Sequence, residues 1–212
     1  MVVGVACGTG PALALGAFVG CSGGKAQPAP IGMASSSPSD AATEQRRLAQ
    51  PYRPDASCEV IIDTPDIMAS PHVEIGTEVA YNSNPPTSGP HYPVWAAFQE
   101  YDRAVDRRYY VHNMEHGAMV LLYKCATRDA CPDVAAKLRA EMDLLPADPI
   151  CTEIKNRVIL TPDPLLDFPV AATAWGWRYR AQCVDAPTLR DFARDHYGQG
   201  PEAVCANGQF PF

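Results

Sequence analysis

The sequence predicts an α+β domain held by disulfides, and three features carry that expectation. Two segments place apolar residues at helical spacing, four others show strand patterning, and cysteines of even number lie among them. Between these elements run long stretches with little periodicity, notably Thr64 to Asp106. The class expected is therefore a single domain with a small sheet, two or more helices and long irregular segments.

Glu59 to Asp63 (EVIID) reads as a short strand, and Met119 to Cys125 (MVLLYKC) as a strand buried on both faces; turn formers bound each. Pro132 to Leu145 is expected to be a helix. Val134, Leu138 and Met142 fall four apart, and Pro132 suits a first helical turn because its missing N–H would be unpaired there anyway. Arg157 to Thr161 is a third strand. In Val170 to Arg180, Trp175, Trp177 and Tyr179 alternate with Gly176, Arg178 and Arg180, which predicts one half-buried strand with its aromatic residues inside. Asp185 is placed to cap a last helix from Pro187 to Tyr197, ended by Gly198. His196 then stands in its last turn, where a cation would meet the helix dipole favourably.

Ahead of the domain, residues 1–20 lack any charged side chain and end in small residues before Cys21, as export signals do. Phe18-Val19-Gly20-Cys21 resembles a bacterial lipobox, with phenylalanine where leucine is usual and no basic residue before the apolar run. The expected organisation is a signal peptide over 1–20, a lipidated Cys21 with a disordered Ser/Ala/Pro/Gly-rich tether to 50, and a globular domain over 51–212. A lipid chain would tether the domain to a membrane without a spanning helix, in the periplasm or at the cell surface; the alternative is ordinary secretion.

The formal charge of −7 and the absence of a dense Lys/Arg stripe argue against nucleic acid as a partner. The basic run Arg103 to Arg108 is interleaved with Asp106 and reads as a self-neutralised, solvated face. Of the eight cysteines, Cys7 and Cys21 lie in the signal and lipobox, leaving Cys58, Cys125, Cys131, Cys151, Cys183 and Cys205. In an exported chain these suggest three disulfides, and only Cys125 to Cys131 is close enough in sequence to be paired by inspection. A thiolate zinc site is the less favoured alternative, since no Cys-x-x-Cys pair occurs.

The chemistry concentrates in two segments. Val111-His112-Asn113-Met114-Glu115-His116-Gly117 gathers two of the five histidines with a thioether and a carboxylate, and Pro85-Pro86-Thr87-Ser88-Gly89-Pro90-His91 adds a third histidine on a stiff, turn-rich path. Together they resemble the bacterial domain-of-unknown-function family 3105, whose members pair a PPTSGPH-like segment with a VH-x-x-EHG-like one. The resemblance runs from about Cys58 to Glu202 and implies no particular activity. Where the family commonly has leucine this chain has Met114, so a thioether ligand would be local to this protein.

His91, His112 and His116, with Met114 as a further ligand, are the candidate metal donors. Glu115 and Ser88 are the candidate partners that orient an imidazole, and Glu115 is equally placed to ligate the ion directly or act as a general base. Three imidazoles suit zinc, whereas adding a thioether moves the preference to copper, which is the ion expected here. On an extended strand His112 and His116 would stand about 13 Å apart, so a shared ion requires a helical turn, bend or bulge ending at Gly117. Two alternatives remain. The histidines could merely pin the Thr64 to Asp106 segment to the core of a metal-free structural module. Or Thr87 or Ser88 could act as a nucleophile with a histidine base and Glu115 as orienter, in a hydrolase without a G-x-S-x-G elbow. Tyr81, Tyr92 and Tyr110 flank the motifs as packing residues, and His72, after Pro71 in a loop, has no role assigned.

Overall fold

A computed structural model describes residues 58–209. The expected signal peptide, lipidated Cys21 and tether lie outside that range, as do residues 51–57 and 210–212.

Strands β1 (Val60–Asp63), β2 (Met119–Tyr123), β3 (Val158–Pro162), β4 (Val170–Ala174) and β5 (Trp177–Ala181) form one mixed sheet in the order β1-β5-β4-β2-β3. Only β2 and β3 run parallel. Parallel neighbours need a crossover, which helix α2 (Pro132–Leu144) supplies; α1 (Arg107–Glu115) precedes β2, and α3 (Ala186–His196) follows β5. Among the described residues this is a five-stranded, three-helix α+β domain with three disulfides.

Both sheet faces are covered, which is why β2 reads as the unbroken apolar run MVLLY. Met119, Leu121 and Tyr123 face a core shared with Ala135 and Leu138 of α2 and Leu189 and Phe192 of α3. Val120 and Leu122 join Tyr110, Val111 and Met114 of α1, with Tyr101 and Val105 of the preceding irregular chain. The histidine-bearing helix thus lies on the face opposite the other two.

The stretch expected as one strand over Val170 to Arg180 is a hairpin. Gly176 takes φ +75°, a left-handed conformation open to glycine, and Ala174 pairs with Trp177 across a two-residue loop. Cross-strand partners share a face, so Ala172 and Ala174 point the same way as Trp177 and Tyr179, and the parity of inward positions switches at the turn. Tyr179 is buried, while Trp175, in the turn, packs against the opposite core.

Asp185 stands at the N-cap of α3, yet its carboxylate accepts from the Thr188 hydroxyl at 2.7 Å rather than capping a backbone N–H. His196 stacks on Trp177 with ring centroids 3.9 Å apart, and burial lowers its pKa, so it is a neutral packing group rather than a cation at the dipole. The basic run is self-neutralised as expected, exposed at Arg103 but half-buried at Arg107 and Arg108. Arg107 pairs with Asp163 at 2.8 Å, and the Arg108 guanidinium pairs with Asp106 and lies over the Tyr92 ring.

Cys58–Cys183 staples the chain before β1 to the chain after β5, Cys125–Cys131 closes a short loop before α2, and Cys151–Cys205 fixes the C-terminal segment. With all six in disulfides, none offers a thiolate donor.

Candidate metal centre

Helix α1 sorts the central motif by face. Asp106 caps it, its carboxylate accepting from the Arg108 amide at 2.9 Å, and Gly117 at φ +88° lets the chain turn away, with its N–H bonded to the Met114 carbonyl at 2.8 Å. Tyr110, Val111 and Met114, spaced for one side of a helix, enter the apolar core. His112, Glu115 and His116 occupy the other side. Asn113 clamps the neighbouring chain, its side chain accepting from Ala96 N at 3.0 Å and donating to Ala96 O at 2.8 Å.

That clamp helps hold the Pro85–His91 segment against α1. His91 runs beside His72 in a short parallel bridge, with Val73 N bonded to His91 O at 2.8 Å and His91 N to Pro71 O at 3.2 Å. Gly89, at φ +119°, has no room for a side chain to grow freely: a Cβ there would meet the Tyr81 ring at 3.2 Å. Ser88 is buried, and its hydroxyl oxygen accepts from Met68 N at 2.9 Å, bracing the turn.

The result is a ring cluster. His72, His91 and His112 have centroids 4.8 to 5.0 Å apart in every pairing. His112 and His116 stand 4.6 Å apart, and Trp95 covers both at 4.9 and 4.6 Å. One potential ligand atom from each of His72, His91, His112 and Glu115 lies within 4.8 Å of the others; a second such group is Glu115, His116 and Glu202.

The protonation pattern suits ligation. Nδ1 of His91 is 2.9 Å from the Gly89 carbonyl, and Nδ1 of His112 is 2.6 Å from the Tyr92 carbonyl. A carbonyl only accepts, so both Nδ1 atoms carry hydrogen and Nε2 is the nitrogen that each ring turns toward the site, the arrangement that such outer hydrogen bonds fix in metal sites. Nε2 of His91 lies 3.0 Å from Glu115 Oε2 yet is not aligned with it as a hydrogen bond. Imidazole nitrogen and carboxylate thus converge on one region, where a proton or a metal cation can sit between them. Burial, opposed by the Tyr92 carbonyl and aided by the neighbouring imidazoles, pushes the His112 pKa down to about 4, so its ring is neutral at physiological pH.

The structure therefore brings together His91, His112 and Glu115, and adds His72. His116 belongs instead to the second group, its Nε2 3.3 Å from Glu202 Oε2. Met114 is not at the site: it is fully buried in the apolar core on the opposite side of the helix. His72 and Glu202 escaped the sequence reading. Neither has local company, although the glycines at 198 and 200 before Glu202 signalled close backbone approach.

A family model described as protein of unknown function (DUF3105) matches residues 72–208. The chain belongs to that family. The matched span contains all six residues of the two groups that could hold a metal ion, from His72 to Glu202. Comparison with curated proteins and with solved structures returns no match.

Proposed function

We propose that the protein binds a divalent transition-metal ion through His72, His91, His112 and Glu115, and that it does so outside the cytoplasm as a lipid-anchored protein. The observation that supports this best is the convergence of four donor atoms within 4.8 Å, two of them imidazole nitrogens whose tautomers are set by backbone carbonyls. Three imidazoles and a carboxylate form a borderline-hard set suited to zinc(II) or copper(II). The case for copper over zinc rested on a soft thioether, and with Met114 in the core zinc takes first place.

Export and anchoring rest on the apolar, uncharged segment before Cys21 and on the three disulfides, which persist in oxidising compartments. Among the described residues no helix is long and apolar enough to cross a membrane, so in this reading the lipid on Cys21 supplies the anchor.

The test is metal analysis of tag-free protein after stripping with a chelator and dialysis against zinc and, separately, copper(II). Retention of metal that His91→Gln and His112→Gln each abolish is the expected result. Failure to take up either ion at micromolar concentration overturns the reading and leaves a disulfide-stapled module whose histidines only pin the irregular segments.

A further inference from the structure

We infer that the centre takes two ions rather than one, with Glu115 bridging the His72/His91/His112 position to a second position built from His116 and Glu202. This rests on the metal-binding reading above and extends it. The observation behind it is that the two donor groups have one residue in common: Glu115 lies within 4.8 Å of every donor atom in both. A carboxylate offers two oxygens with about four lone-pair directions, enough to bind a cation on each side.

Helical spacing supplies the rest. His112 and His116 are one turn apart, so α1 directs one imidazole to each position with the rings 4.6 Å apart and sets Glu115 between them in sequence. His116 is 4% exposed, and its Nδ1 has no hydrogen-bond partner among the described residues.

Glu202 is held in place rather than free at the surface. Its N–H bonds to the Glu115 carbonyl at 3.0 Å, and Gly198 N bonds to the Gly117 carbonyl at 2.9 Å. Gly200 passes so close that a Cβ there would lie 2.3 Å from the Glu115 carbonyl oxygen. The buried Arg157 guanidinium, paired with Asp148 at 2.7 Å, donates to the His116 carbonyl, and Cys151–Cys205 closes the segment just beyond. Glu202 is 55% exposed, so the second position opens to solvent on that side, as the first does at His72. An ion at the second position would keep water ligands on that open side.

Stoichiometry tests this separately from the first reading. The full chain, stripped and dialysed against zinc, is expected to hold two ions; Glu202→Gln and His116→Gln are each expected to hold one. Glu202→Gln replaces an exposed side chain, and its apo thermal midpoint should match the parent, so loss of an ion there cannot be laid to misfolding. One ion in the parent overturns the inference and leaves the single-site reading standing; none overturns both. Two ions retained in both variants place the second ion elsewhere and overturn the assignment. Copper(II) checks the bridge. In the parent the electron paramagnetic signal of the first equivalent should fall as the second binds, because ions joined by one carboxylate at about 4 Å couple, and in Glu202→Gln it should not. Simple addition of the two signals in the parent would overturn the shared carboxylate.

Discussion

Replacing His112 with glutamine should change how the metal-free protein responds to acid. In the folded chain the imidazole is 3% exposed and its pKa is held at about 4, against 6.5 in the unfolded chain. The folded value is the lower one, so the unfolded chain binds more protons and stability must fall as pH drops below 6.5, continuing until the folded group titrates near 4. Between pH 7 and pH 4 the difference in protonation free energy amounts to about 3 kcal/mol from this residue alone, at about 1.4 kcal/mol per unit. Glutamine cannot titrate, but its amide can still donate to the Tyr92 carbonyl. Urea unfolding in chelator at pH 7 and at pH 4 measures both proteins. The variant should be the weaker at pH 7, where it has lost ring packing, yet lose about 3 kcal/mol less than the parent on acidification. His196, stacked on Trp177, keeps its contribution in both proteins and cancels in the comparison, whereas His116, 4.6 Å from the His112 ring, loses the small repulsion of a charged neighbour in the variant. An equal loss in the two would show that His112 is not held neutral by burial, and the argument for a ligand-ready ring would go with it.

Met114→Leu tests the placement of the thioether. Exchanging two side chains of similar volume in the core should cost less than about 1.5 kcal/mol and leave zinc and copper(II) affinity unchanged, whereas a tenfold loss by calorimetric titration would make the sulfur a ligand after all. Removing Cys151–Cys205 by double serine substitution frees a loop of 54 residues, for which chain entropy predicts a loss of about 4 kcal/mol; denaturant unfolding should show it, and zinc stoichiometry should drop at the Glu202 position first. Cys21→Ser should move the exported protein from the membrane to the soluble fraction, and unchanged sedimentation with membranes would remove the lipid anchor.

Much of the fold could be read locally. The Pro132 helix and the strand at Met119 have periodicities that differ from their surroundings, and each is observed within a residue or two of where the pattern puts it. The hairpin at Gly176 was missed for a geometric reason. A two-residue turn preserves alternation on each side while switching which parity points inward, so the odd-numbered aromatics from Trp175 to Tyr179 read as one face of one strand. Gly176 was the available sign of a turn, but a lone glycine in a strand pattern more often marks a bulge.

The site was legible only where its donors share a helix. In Val111 to Gly117 the sequence already contains the division of labour, because the 3.6-residue period that places Val111 and Met114 in the core must turn His112, Glu115 and His116 away from it. Met114 could have been a ligand only if the segment were a bent strand, because helical geometry argues against it, and α1 is helical. His72 shows the opposite limit. It reaches His91 through a bridge between two irregular segments, whose register follows from the Gly89 turn, the Asn113 clamp and the Tyr81 ring, none of which leaves a repeating trace in the chain. Glu202 lies still farther along the chain, and its backbone is placed by close contact with α1: where Gly200 crosses the end of that helix, any side chain would collide with the Glu115 carbonyl. A larger residue at 200 must therefore push Glu202 away from Glu115 while leaving every donor side chain chemically intact. Gly200→Ala should accordingly lower zinc uptake at the second position and spare the first, and equal uptake at both would mean that Glu202 is not held there by the glycine crossing.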